Sequence, residues 1–460
     1  MRSFDAIIIG AGQAGPSLAR RLTAAGMTVA FVERHRFGGT CVNTGCMPTK
    51  TLVASAYAAH LARRATEYGV VIPGGSSAVG IDMKTVKARA DAVIAKASGG
   101  VEKSLRENDK CTVFHTHARF ESHDTVRAGD ALLQAPRIFV NVGGRAIVPD
   151  FPGVRDVPFL TNTSILGLEA VPKHLVVVGG SYIGLEFAQM FRRFGAAVTV
   201  VEKAPRVIAR EDEDISLAVR DVFEREGIAV RTAAECIALA PHADGVMVSL
   251  DCRDGEPAAV GSHVLLAVGR QPNTADLGLD KAGVRTDDKG YIQVDDHLAT
   301  NVPGIWALGD CNGRGAFTHT AYNDFEIVAA NLIDGEQRSV ADRVPGYALY
   351  IDPPLGRVGM TESQARASGR RILIATRPMT RVGRAVEKGE TLGMMKVVAD
   401  ADSKKILGAA ILGTGGDEAI HGILDVMNTG ATYPELQWAV PIHPTVSELI
   451  PTLLGDMRPA

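Results

Sequence analysis

The same short pattern occurs twice in the chain, and it constrains the fold more than any other feature. Ala6 to Ile9 form an apolar, strand-like run that enters Gly10-Ala11-Gly12-Gln13-Ala14-Gly15. A helix-like stretch follows to about Gly26, and a strand from Thr28 to Val32 ends on Glu33. Leu175 to Val178 repeat the opening run and enter Gly179-Gly180-Ser181-Tyr182-Ile183-Gly184. Helix-like residues then run to about Gly195, and a strand from Ala197 to Val201 ends on Glu202. Gly10 to Glu33 and Gly179 to Glu202 are both 23 residues apart.

Each copy reads as the start of a βαβ unit that binds a dinucleotide. The first glycine permits a tight turn, the second lets a pyrophosphate approach the backbone, and the third lets helix pack on strand. The pyrophosphate would sit at the positive end of the helix, and the closing carboxylate would accept hydrogen bonds from a ribose. One glycine fingerprint is a weak signal. Two with matched spacing predict two bound nucleotides, or a duplication with one copy dead. Ser181 stands where the second copy's middle glycine would be, and its small side chain still permits fairly close approach.

At 460 residues the chain is too long for one core, and roughly three domains are expected. Net charge is −3 with no block of like charge, which argues against a nucleic-acid or membrane-surface partner. No apolar run approaches the ~18 residues that span a bilayer. The apolar stretch near the N-terminus could be the short core of a signal peptide, but it runs straight into the glycine loop. A cytoplasmic location is expected, where structural disulfides are rare. From about Val344 the character changes. Strand-like Gly393 to Val398 and Ile406 to Leu412 precede helix-like Glu418 to Asn428 and Thr445 to Leu454, as in a separate α+β domain. With no low-complexity linker, the domains should be tightly joined.

Two of the six cysteines are close together, in Gly38-Gly39-Thr40-Cys41-Val42-Asn43-Thr44-Gly45-Cys46-Met47-Pro48-Thr49-Lys50. A zinc site would need a second pair at similar spacing, and Cys111, Cys236, Cys252 and Cys311 stand singly. Two unrelated buried thiols are the plain alternative to a reactive pair. A loop of this length can close into a disulfide, and helical pattern follows from about Pro48. A cysteine near a helix start has its thiolate favoured by the dipole, and thiolate is the reacting form in disulfide exchange.

These segments resemble the class I pyridine nucleotide–disulfide oxidoreductases, which include dihydrolipoamide dehydrogenase, glutathione reductase and mercuric reductase. The resemblance runs through essentially the whole chain. It rests on the first fingerprint, GGTCVNTGCMPTK, GGSYIGLE, VGRQPN, the run Ile305 to Asp310 and IHPTVSE. It implies an α/β fold with two Rossmann-like dinucleotide-binding domains, for FAD and NAD(P), and a C-terminal α+β dimerisation domain. The implied divisions are residues 1–150 and 273–343 for FAD, 151–272 for NAD(P), and 344–460 for the interface of a homodimer.

The resemblance also implies roles. Gly10, Gly12, Gly15 and Glu33, with Gly39 and Thr40, would bind FAD, and Asp310 its ribityl chain. Gly143 would turn between the FAD and NAD(P) domains. Gly179, Gly184, Glu202 and Gly269 would hold the nicotinamide cofactor. Tyr182 would cover the flavin until the nicotinamide displaces it, and Lys50 and Glu186 would meet beside it. Cys46 would be the thiolate next to the flavin and Cys41 the thiol that attacks substrate. His443, oriented by Glu448, would be the acid/base delivered to the partner subunit's site. No resident metal is implied.

The implied activity passes electrons from NAD(P)H through FAD to Cys41–Cys46 and on to a small disulfide or oxidant. Dihydrolipoamide dehydrogenase and a metal-ion reductase are the alternatives, and a redox-sensing flavoprotein with little turnover is the reading from another class. The chain ends Gly455 to Ala460 without the cysteine pair of mercuric reductases. Pro353 to Glu362 look closer to a mercuric-reductase-like subgroup that includes a reductase linked to reactive-chlorine resistance. Glu202 suits a free ribose hydroxyl and hence NADH, while Lys203 and Arg206 are close enough in sequence to meet the 2′-phosphate of NADPH.

Overall fold

The computed structural model describes residues 1–251 and 256–460. Cys252, and the side chain of Cys236, lie outside what it describes. The first fingerprint opens a five-stranded parallel sheet in the order Ile305–Ala307, Ile138–Val140, Ala6–Ile9, Val29–Glu33, Cys111–His115. Every residue of Ala6–Ile9 is buried. That suits a continuous apolar run covered on both faces rather than an alternating strand. The outermost strand comes from residue 305 onward, so the chain returns to this sheet after an excursion.

The excursion contains the second fingerprint. Its sheet is also parallel, in the order Ala229–Arg231, Ala197–Val201, His174–Val178, His263–Leu266. Both glycine loops thus leave a central strand and start a helix, Ala14–Ala24 in one copy and Tyr182–Phe194 in the other. The C-terminal sheet is antiparallel, ordered Gly346–Leu349, Leu355–Gly359, Ile406–Leu412, Met394–Asp400, Ile372–Pro378, Arg458–Pro459.

Two elements differ from their sequence patterns. The run Glu418 to Asn428 divides into helices Gly416–Ala419 and His421–Thr429. The helix expected from Thr445 begins only at Leu449. Thr445 instead hydrogen-bonds the carbonyl of Ile442, and the His443–Pro444 peptide is cis.

One apolar cluster joins the helix after the cysteine pair to the second parallel sheet and to the C-terminal sheet. Leu52 and Ala56 of the helix Cys46–Arg64 meet Leu185, Phe187 and Phe191 of the second fingerprint helix, together with Leu349, Leu355 and Leu412 of the antiparallel sheet. Among the described residues no helix is long and apolar enough to cross a membrane.

Candidate active site

A cleft of about 1150 Å³ runs along the first fingerprint and past the cysteine pair. Its walls include Gly10, Gly12, Glu33, Gly39, Thr40, Gly143 and Asp310 at one side, and Cys41, Cys46, Lys50, Tyr182 and Glu186 at the other. Twelve of the residues singled out from sequence therefore line one space.

The glycines are there because backbone fills the room a side chain would need. A Cβ at Gly10 would lie 2.3 Å from the Asn141 carbonyl oxygen, one at Gly15 2.4 Å from the Gly10 carbonyl, and one at Gly39 2.7 Å from the Gly12 Cα. The second copy repeats the packing, with Gly179 facing Ala267 and Gly184 facing Gly179. Gly143 is different. Open space surrounds it, but its φ of +62° is left-handed and favours glycine. Gly269, at φ +146°, accepts the Ile147 N–H through its carbonyl.

The two closing glutamates make matching hydrogen bonds. Glu33 accepts the Ala11 N–H at 2.7 Å on one oxygen and the His35 N–H at 2.7 Å on the other. Glu202 accepts the Gly180 N–H at 2.6 Å and the Ala204 N–H at 2.7 Å. Each carboxylate braces its own glycine loop and keeps lone pairs free for a ribose. A braced groove with a glycine floor and two carboxylates, Glu33 and Asp310, on its wall fits FAD. Asp310 is on the same wall, where burial raises its carboxyl pKa and Arg270, 3.7 Å away, opposes that shift.

Cys46 is the first residue of its 19-residue helix, and Cys41 lies in the short helix Gly39–Asn43 before it. Both carry free thiols. Their acidities are pulled apart. The Cys41 thiol donates to the Cys46 sulfur, and this bond is the main reason that Cys41 is pushed up and Cys46 drawn down to about 6. Burial opposes the fall at Cys46, while the Thr318 hydroxyl and the Lys50 ammonium add to it. Thr318 Oγ1 is 3.1 Å from Cys46 Sγ. The negative charge of the pair therefore sits on Cys46.

Lys50 Nζ contacts Glu186 Oε2 at 2.6 Å and lies 4.7 Å from the centre of the Tyr350 ring. Glu186 is 5% exposed, and its second oxygen accepts the Tyr350 N–H. Lys50 and Glu186, 136 positions apart in sequence, thus meet in a direct ion pair. His443 Nδ1 and Glu448 Oε2 are 2.8 Å apart, but that pair is outside this cleft, with the imidazole 80% exposed. Around it Trp438, Val440 and Ile442 are exposed apolar side chains.

Sequence reasoning missed Thr318, Asn141 and Asp324. Thr318 is 272 residues from Cys46, and only its place at the start of the helix Thr318–Ala329 could have drawn attention to it. Asn141 donates to the Gly10 carbonyl. Asp324 is buried and accepts from the Gly309 N–H and the Asn312 amide, fixing the turn that carries Asp310.

Two nucleotide folds, a thiol pair beside one of them and an antiparallel third sheet define a flavin- and nicotinamide-dependent disulfide oxidoreductase, and the chain belongs to that family. Its residues 4–324 match the pyridine nucleotide-disulphide oxidoreductase family, and residues 345–454 match the dimerisation domain of the same family. The "Probable pyridine nucleotide-disulfide oxidoreductase RclA" of Escherichia coli (strain K12) is 34% identical over 468 residues, covering both chains completely. A dihydrolipoyl dehydrogenase of Thermus scotoductus is 32% identical, over 97% of this chain and 96% of its own. A solved Cu(II) complex of the HOCl-induced flavoprotein disulfide reductase RclA from Escherichia coli superposes with a TM-score of 0.89. It is 33% identical and covers 99% of each chain. The protein is an FAD-dependent oxidoreductase that uses NAD(P)H, and its C-terminal domain makes it a homodimer.

Proposed function

We propose that the protein takes electrons from NADH and delivers them, through Cys46 and then Cys41, to a small disulfide or oxidant in the cytoplasm. The observation that carries this reading is the split acidity of the thiol pair on the cleft wall, with the charge held on Cys46. FAD, held along Gly10, Gly12, Gly15 and Glu33, would supply the two-electron redox chemistry that links the nicotinamide to the thiol pair. Everything else falls to the chain's own side chains. Cys46, close to Thr318, Lys50 and Glu186, keeps its proton off. Cys41, the protonated partner, attacks the substrate as its thiol proton passes to the imidazole of His443 of the partner subunit. Tyr182 guards the approach of the nicotinamide. His443, braced by Glu448, protonates the leaving thiolate in the partner subunit's site, and its exposure on this protomer supports that direction.

NADH is favoured over NADPH by the second loop. Glu202 keeps a carboxylate where a 2′-phosphate would need a cation. Arg206 points one guanidinium nitrogen at the Glu211 carbonyl, 3.3 Å away. Steady-state kinetics on purified holoenzyme test the choice, and a tenfold preference for NADPH would sink it. The acceptor is tested with lipoamide, glutathione disulfide, other low-molecular-weight disulfides, Hg(II) and Cu(II). The relative solved with Cu(II) makes that ion worth including. A dithiol route requires Cys41→Ser to abolish turnover with every acceptor, so retained turnover would overturn it.

A further inference from the structure

Tyr182 rests against other rings on the cleft wall. Its ring meets Tyr347 edge to face at 5.2 Å and Phe317 at 6.2 Å. Phe317 and Tyr347 stack on each other at 5.6 Å with planes 14° apart. Tyr182 thus rests on the edge of a stack built from elements outside its own sheet.

Tyr347 is fixed from behind by buried charge. It stands in Gly346–Leu349, directly across the antiparallel ladder from Arg357 of Leu355–Gly359. Its hydroxyl donates to Glu211 Oε1, and Arg357 grips the other oxygen of the same carboxylate, with Nε at 2.9 Å. The Glu211 and Arg357 side chains are 0% and 2% exposed. A buried ion pair of this kind is poor evidence for added stability, because desolvation offsets most of the attraction. It is good at fixing geometry, and here the fixed atom is the Tyr347 hydroxyl. The ring so held is the one against which Tyr182 leans.

We propose that Tyr347, clamped by Glu211 and Arg357, is a positioning residue for Tyr182: it sets how readily that ring leaves the nicotinamide position. The proposal rests on the reading of Tyr182 as the guard of the flavin. A guard held in place lowers the fraction of enzyme competent to bind, and apparent affinity falls with that fraction. Tyr347→Phe keeps the ring and removes the clamp. Phe317→Leu removes the neighbouring ring and leaves the buried ions intact, which covers the case in which the first variant fails to fold.

The test measures the NADH dissociation constant from the anaerobic reductive half-reaction, and the flavin fluorescence of the oxidised holoenzyme. In each variant the constant should fall about threefold to tenfold as the guard loosens. Fluorescence should rise as a quenching tyrosine spends less time beside the flavin. Tyr182→Ala should show both changes, and adding Tyr347→Phe to it should change nothing more. If Tyr182→Ala shifts both readings while Tyr347→Phe and Phe317→Leu shift neither, the proposal is overturned and the guard stands. If Tyr182→Ala itself is silent, the guard reading fails first.

Discussion

At the scale of single residues, the site is governed by which atom carries the charge of the thiol pair. Cys46 titrates near 6 because a thiol, a hydroxyl and an ammonium favour its anion. Thr318→Val removes the hydroxyl and keeps the shape. Loss of a donor to the charged form raises a thiol pKa. The pH midpoint of iodoacetamide alkylation of the reduced protein should therefore move upward from about 6. At pH values between the two midpoints the variant should alkylate more slowly than the wild type. Cys41→Ala should shift the midpoint further in the same direction, since Cys41 is the larger cause. An alkylation profile unmoved by either change would remove the thiol pair from the centre of the chemistry. Much of this was legible in sequence. Cys41, Cys46 and Lys50 fall within one segment, and the His443–Glu448 pair within another. Thr318 was not legible, because a hydroxyl that reaches a thiolate across 272 residues leaves no local spacing to read.

At the scale of elements, the two fingerprints are one design used twice, and close packing shows in the same places. An added Cβ at Gly184 would fall 1.9 Å from the Gly179 carbonyl, so the helix Tyr182–Phe194 would have to lift off its strand. Overpacking of this kind typically costs about 1–3 kcal/mol. Gly184→Ala should purify yellow, with its flavin, and bind NADH more than tenfold more weakly in titration. Gly15→Ala should do the reverse and lose flavin. A colourless Gly184→Ala protein would show that the two loops have been given the wrong cofactors. The repeat made both units readable, because strand, turn and helix each follow from local residue types. The end of the chain was less readable. The pattern from Thr445 has helical spacing, yet the segment around His443 and Pro444 turns before Leu449 starts the helix. Tertiary context overrides periodicity there.

At the scale of the whole molecule, the proposed function has the site completed by two chains. His443 is 80% exposed and flanked by exposed Trp438, Val440 and Ile442, a surface suited to being covered by the second subunit. Co-refolded or co-expressed subunits carrying His443→Ala and Cys41→Ala should therefore complement. Each variant alone should be inactive towards the acceptor. A random mixture should recover roughly a quarter of wild-type turnover, because a mixed dimer keeps one intact site. No recovery in mixed dimers isolated by two affinity tags would place His443 outside the partner's site. Within each subunit, the cluster that joins Leu52, Phe187 and Leu355 packs the units together through buried apolar side chains. Domains that meet through a small polar surface usually rock about it, whereas a shared apolar core suppresses that freedom. Calorimetry of one subunit's unfolding should show a single cooperative heat peak. On the proposed reading of Tyr182, traffic into the flavin is then left to a side chain: with the units joined through apolar packing, one aromatic ring opens and shuts what in looser enzymes is opened by a hinge.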